Sequence, residues 1–129
     1  PDYSSAASDV YKRQLLFAQI SWAEGSGQWY QFAFEKDGST ITEAIGDASG
    51  SRKRCTAHID NQTDNNAGRT AFMMVQVPAG DTSSRYYNIA LRHTSGITRT
   101  MYINRTNADS NSQGYGRPIS TITAMEVEV

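Results

Sequence analysis

Apolar and polar residues alternate with a period of two along most of the chain. Leu16, Ala18, Ile20 and Trp22 share one face of a first segment that ends at Glu24-Gly25-Ser26-Gly27. Strand side chains point alternately to opposite faces, so this pattern predicts a strand. Tyr30, Phe32 and Phe34 then alternate with Gln31, Ala33 and Glu35 and run into Lys36-Asp37-Gly38, where Asp-Gly predicts a tight hairpin turn. A short strand is expected over Thr40 to Ile45, then a polar loop over Gly46 to Ser51, then a strand over Cys55 to Ile59. Asp60 to Gly68 is rich in Asn and Asp, which favour turns. Ala71 to Val77 is almost wholly apolar, the pattern of a central strand covered on both faces, and Pro78-Ala79-Gly80-Asp81 stops it. Tyr87, Ile89 and Leu91 oppose Tyr86, Asn88 and Arg92 in the next segment. Thr98 to Asn104, a long polar loop over Thr106 to Gly116, and a last strand over Ser120 to Val129 complete the pattern.

About eight strands at this spacing predict an all-β sandwich or jelly roll. No segment has helical periodicity. Several strands carry large residues on both faces, as at Met101, Tyr102 and Ile103, whereas a two-layer sandwich needs one inward face per strand. The surplus apolar surface predicts a subunit interface. Composition agrees: the chain is rich in Ser, Thr, Asn and Gly, and its seven Tyr, four Phe and two Trp supply enough buriable surface to exclude disorder.

The first fourteen residues stand apart. Ser4 to Gln14 look like the translation of a transposase-type sequencing adapter, matching it codon for codon, and Pro1-Asp2-Tyr3 fits the index that precedes such an adapter. Residues 1–14 are therefore expected to be non-native and disordered, with the domain spanning 15–129 and a larger upstream protein cut away in an assembly of environmental DNA. Of the twelve basic and thirteen acidic residues, setting aside Lys12, Arg13, Asp2 and Asp9 leaves ten and eleven, a net charge still of −1. That balance offers no electrostatic footprint for nucleic acid or an anionic membrane. No apolar run is long enough to cross a bilayer. Cys55 is the single cysteine, so no intrachain disulfide can form.

Catalytic chemistry is not evident. There is no nucleophile elbow, no phosphate-binding loop and no Cys–His–Asn spacing, and the carboxylates Glu35 and Glu43 are more simply two surface acids than a glycosidase pair. The chain is not expected to be an enzyme. Cys55-x-x-His58 offers two metal ligands where a structural zinc site needs four. The Asp109-to-Gly114 segment resembles the opening of a calcium loop but has Ser120 where the bidentate Glu belongs, so no metal or other cofactor is expected. Two features point to binding. Trp22, Trp29 and Tyr30 flank the first turn and form a candidate glycan-stacking platform, set against the plainer reading as core or interface. Arg52-Lys53-Arg54 is the one basic run, a solvated surface or a site for a sulfated or phosphorylated glycan.

From about Ala71 onward a set of short motifs appears in a fixed order. They are Val77-Pro78-Ala79-Gly80, Tyr102-Ile103-Asn104-Arg105, Asp109-Ser110-Asn111, Tyr115-Gly116-Arg117 and Ser120-Thr121-Ile122-Thr123-Ala124-Met125-Glu126-Val127. Together they resemble the C-terminal domain of tail-fibre and related virion proteins of marine phages, itself similar to tumour-necrosis-factor and complement-type jelly rolls. The resemblance implies a homotrimer packed about an axis, with the final strand in the sheet near the interface. It also implies a virion component, assembled in the host cytoplasm, whose fibre tip adheres to a glycan or protein receptor on the host surface, with no nucleic-acid partner and no membrane insertion. The motif residues Asn104, Arg105, Asp109, Tyr115 and Arg117 are then expected to fix the long loop before the last strand, Arg105 and Arg117 pairing with Asp109. The alternative is a monomeric carbohydrate-binding module of a secreted protein.

Overall fold

Two consecutive strands near the N-terminus organise the molecule. The structure, a computed structural model, describes residues 12–24, 29–60, 68–80, 82–93 and 98–128. Among the described residues there are eight strands: β1 (Arg13–Glu24), β2 (Trp29–Lys36), β3 (Ser39–Thr40), β4 (Ala57–Asp60), β5 (Arg69–Pro78), β6 (Tyr87–His93), β7 (Met101–Ile103) and β8 (Thr121–Val127). In the first sheet β1 is central. It pairs antiparallel with β5 along one edge, while β8 and β7 share the other edge end to end. In the second sheet β2 is central, with β6 on one edge and β4 and β3 sharing the other. The two sheets pack face to face as an all-β sandwich.

The alternation along β1 and β2 supplies the core. Leu16, Ala18, Ile20 and Trp22 point inward from β1 and meet Tyr30, Phe32 and Phe34 from β2. Trp22 lies tilted against Tyr30 and Phe32, with ring centroids 4.9 and 5.6 Å away. The register carries the pattern outward: Ala71, Met73 and Val75 of β5 stand opposite Ile20, Ala18 and Leu16, and Ile89 of β6 stands opposite Phe34. The expected hairpin follows β2. Asp37 and Gly38 both have positive φ, 51° and 79°, the geometry of a type I′ turn. The φ of Gly38 is what favours glycine there; a Cβ would lie 3.1 Å from the Tyr86 hydroxyl, the tip of an exposed side chain that a small shift relieves. Asp37 holds the turn to the chain before β6, accepting from the Arg85 guanidinium at 2.9 Å and the Tyr86 backbone N–H at 3.2 Å.

Three expectations are corrected. Thr40 to Ile45 is not a strand. Pairing ends at Thr40, and Thr42–Ala44 form a 3-10 turn that buries Ile41 and Ala44 together, three residues apart. This turn and β4 approach β5 and close that side of the sandwich. Second, β5 is an edge strand in the described pairing and is covered on one face only. Its inward Ala71, Met73 and Val77 are buried, but Phe72 and Met74 on the outer face are 61% and 63% exposed. An apolar run shows that both faces avoid water, not which one the same chain covers. Third, β1 begins at Arg13, before the boundary expected at Leu15. Ladder bonds are made by the backbone and accept nearly any side chain, and the Lys12 ammonium reaches Glu126 at 2.8 Å. The polar loop over Asp60 to Gly68 falls mostly outside the described residues.

Among the described residues, no segment covers the opposite side of the sandwich, between β6 and β8. Leu91 and Ile122 both point inward by register, opposite Phe32 and Ala18, yet remain 41% and 43% exposed. Every residue of β8 except Val127 is exposed.

Phe34, fully buried on the central strand of the second sheet, makes the clearest test of this core. Phe34→Ala is expected to cost about 3–5 kcal/mol, measured by urea unfolding followed by circular dichroism.

Candidate functional site

The outer face of the second sheet carries a cavity of about 680 Å³. Its floor follows from strand alternation. With Tyr30, Phe32 and Phe34 turned inward, Trp29, Gln31, Ala33 and Glu35 must face outward. The register sets His58 of β4 and Arg92 of β6 directly on either side of Gln31, giving a row of three side chains across three strands. Gln31 and Ala33 are nevertheless only 5% and 4% exposed. The segment between the 3-10 turn and β4 folds back over them, and Ser51, Arg52, Lys53 and Cys55 form the cavity's other wall.

Hydrogen bonds hold that segment in place. Thr56 is the anchor: its hydroxyl donates to the Ala44 carbonyl at 2.7 Å and accepts from the Phe34 N–H at 3.3 Å, and its own N–H donates to Phe32 O at 2.8 Å. The Gly46 N–H donates to Cys55 O at 3.2 Å, closing the base of the loop. The Arg54 guanidinium donates to the Gly46 and Thr42 carbonyls, and Arg92 donates to the Arg54 carbonyl. The Arg52 guanidinium donates to the Ser49 hydroxyl at 3.2 Å, an exposed contact.

The structure thus divides the aromatic and basic candidates. Trp29 is 54% exposed at the cavity rim, and Arg52 and Lys53 line the same cavity. Trp22 and Tyr30 are each 1% exposed in the core, so neither can be a stacking platform: the inward alternation of β1 and β2 claims them. Arg54 does not line the cavity but braces the loop that does. Gln31 and Arg92 were not singled out from the sequence. Gln31 could have been found as the same-face neighbour of Trp29, but nothing local to Arg92 brings it near residue 52. Cys55 and His58 also line this cavity, and among the described residues no group of three or more His, Cys, Asp or Glu is placed to hold a metal ion. Glu43 lies on the 3-10 turn, outside the β2–β3 pairing, so it does not face Glu35 across a sheet. Its carboxyl is held below the ordinary glutamate value by a backbone hydrogen bond and by the Thr42 hydroxyl. Glu35 accepts from the Asn88 amide at 2.7 Å.

The motif loop between β7 and β8 is a separate constellation. Asp109 is its hub. Arg117 grips the carboxylate with two parallel bonds of 3.2 and 2.8 Å, and Arg105 approaches it at 3.4 Å. Arg105 also lies 4.5 Å over the Tyr102 ring and donates to the Thr106 and Asn107 carbonyls. Asn104, at φ 61°, ties the start of the loop to its end: its N–H donates to Ser21 O, and its side-chain carbonyl accepts from Ser120, whose hydroxyl in turn accepts from the Ser21 N–H. Tyr115 closes a turn by donating its N–H to Ser112 O at 3.1 Å. These contacts shape a loop and offer no catalytic arrangement.

Set against models of known protein families, curated proteins and solved structures, the chain matches none.

Thr56→Val removes one donor and one acceptor while keeping the side chain's shape. It is expected to cost about 1–3 kcal/mol in thermal unfolding and to speed amide hydrogen exchange over residues 46–55. Asp109→Ala is expected to cost only about 1 kcal/mol, because Arg117 is largely exposed, while exchange rises over residues 104–118.

Proposed function

We propose that the chain is the C-terminal domain of a phage fibre, a virion protein that forms a homotrimeric tip and adheres to a receptor on the host surface. The observation that carries this reading is the outer face of the first sheet. By register, Leu15, Phe17, Phe72, Met74, Met125 and Val127 all point away from the core on that face. Phe72, Met74 and Met125 are 61%, 63% and 49% exposed, and Phe17 and Phe72 meet edge to face with centroids 4.7 Å apart. A contiguous apolar patch on the outside of a sandwich marks an interface.

A second apolar surface argues for a ring. The open side, with Leu91, Ile122 and the exposed strand β8, is a different surface from the sheet face. Packing the edge of one subunit against the face of the next is a heterologous contact, which closes when the rotation per subunit divides a full turn. Three sandwiches about an axis satisfy both surfaces at once. The finer jelly-roll, tumour-necrosis-factor-like wiring belongs to the same proposal, and its support is the pairing of the first strand with the last. The motif residues that carry the resemblance are those that brace the β7–β8 loop, which supports a structural role for them. Three copies of one modest site would act together through their effective concentration. A carbohydrate-binding module is the second reading. The cavity beside Trp29 favours it, and it requires no subunit interface.

Sedimentation equilibrium separates the two. The chain is expected to run as three copies per particle at micromolar concentration, and a stable monomer would overturn the fibre-tip reading. Phe72→Glu places a charge in the centre of the interface and is expected to give a folded monomer, with the trimer weakened by at least about a hundredfold.

A further inference from the structure

We infer that the cavity on the second sheet is a binding site for an anionic saccharide, a pyranose bearing a sulfate ester or a carboxylate. The inference rests on the adhesion reading in one respect: it names the chemistry of the receptor. The geometry of the site does not depend on the trimer.

Three separate features converge. At the rim, Trp29 exposes more than half its surface on a face whose neighbouring position is Gln31. The negative face of an indole attracts the electropositive C–H groups on one side of a pyranose, and its flat area excludes water there. In the floor, Gln31 is 5% exposed, and its side-chain carbonyl oxygen has no hydrogen-bond partner in the structure. A buried acceptor without a donor is costly unless something supplies one. A sugar hydroxyl in the cavity becomes such a donor once the Gln31 amide turns toward it. On the walls stand three cations, Arg52 and Lys53 from the overlying loop and Arg92 from β6. The described residues that line the cavity include no carboxylate.

The simpler alternatives each leave at least one of the three unused. A simple inorganic anion would use the cations but not the indole face or the buried carbonyl. A neutral sugar would use the indole and Gln31 but leave the three positive charges at the walls without a counter-charge. Single-stranded nucleic acid also combines stacking with phosphate contacts. It binds along an extended basic groove, whereas this site is a single local hollow on a chain of net charge −1. A volume of about 680 Å³ suits a ligand of one to a few rings, being mid-range for small-ligand sites at ~300–1,000 Å³.

The division of labour predicts how binding responds to change. Stacking sets affinity for any sugar with an accessible C–H face. The cations set preference for the charged sugar, and because they are exposed that preference weakens with salt.

The test titrates the chain with a sulfated tetrasaccharide, its chemically desulfated form, a tetrasaccharide of uronic acids and a single-stranded oligonucleotide. Per-site affinity is read by calorimetry and by tryptophan fluorescence, since Trp29 is exposed and Trp22 is fully enclosed. The sulfated or the uronate probe, and whichever of the two binds tighter identifies the anion, is expected to bind at least about tenfold tighter than the desulfated one at low salt, with the gap closing in 0.5 M NaCl. Trp29→Ala is expected to lower affinity for every saccharide by about tenfold and to abolish the fluorescence change. Arg52→Gln with Lys53→Gln is expected to lower affinity for the anionic probe by about tenfold and to alter the desulfated one less than about twofold. All three positions are exposed, and circular dichroism checks that each variant remains folded. Equal binding of charged and desulfated sugars, or tighter binding of the oligonucleotide, would overturn the inference. So would a failure of every saccharide to bind at millimolar concentration. Repeating the titration on Phe72→Glu separates the two proposals: unchanged per-site affinity in a monomer keeps the site whatever becomes of the trimer.

Discussion

Trp22 packed against Tyr30 and Phe32 joins the middle strands of both sheets, and the rest of the molecule is arranged around that contact. Both middle strands come from one stretch of chain, β1 and β2. Each then recruits partners from far along the sequence: β1 takes β5, β7 and β8, and β2 takes β4 and β6. Inward alternation on these two strands determines which residues the others must turn inward, because a ladder in register carries the facing of one strand to its neighbour. A slip of one residue in either would put Trp22 or Phe32 in water and bring Ser21 or Gln31 into the core.

The same constraint leaves a shortage of cover. With each sheet only three strands wide, a large share of every flanking strand lies near an edge. One side is closed by Ile41 and Ala44 on the 3-10 turn, but the side between β6 and β8 is not closed by any of the described residues. The outer face of the second sheet is roofed by the segment held at Thr56 and Arg54. Among the described residues, the outer face of the first sheet is roofed at its far end alone, where Ser21 is tied to Asn104 and Ser120. The remainder is Phe17, Phe72, Met74 and Met125. Two sheets of one sandwich thus have different outer surfaces: exposed Phe and Met side chains on one, and a hollow walled by cations on the other. Assembly through the first would leave the second facing outward.

Polar detail divides along the same line. Asp109 with Arg105 and Arg117 is a self-satisfied cluster, its charges matched by one another, so it holds a loop and asks for nothing from outside. The cavity beside Trp29 is the reverse. Its cations line one hollow with no carboxylate among the described lining residues, and the Gln31 carbonyl is buried without a donor. The loop cluster is closed on itself, whereas the cavity keeps net positive charge at its walls and a buried acceptor in its floor.

Strand alternation is a local property of the chain, and it determined the class of fold, most strand positions, the Asp37-Gly38 turn and the inward set from Leu16 to Phe34. It also marked the surplus of apolar surface. It could not place that surplus, because a run such as Ala71 to Val77 is equally apolar whether a second sheet or a second molecule covers its outer face. Nor could it show that Thr40 to Ile45 would turn, since Ile41 and Ala44 leave the strand period only to fill a gap made by β5. The candidate site was legible in pieces. Trp29 stood out as an aromatic at a turn, and Arg52 and Lys53 as a charge run, each with a plainer explanation. What joined them to each other and to Gln31 and Arg92 was the antiparallel register of β6 on β2 and the fold of one loop across it. Register is a relation between distant segments, so only the tertiary structure could decide it. That relation also separated exposed Trp29 from buried Trp22 and Tyr30.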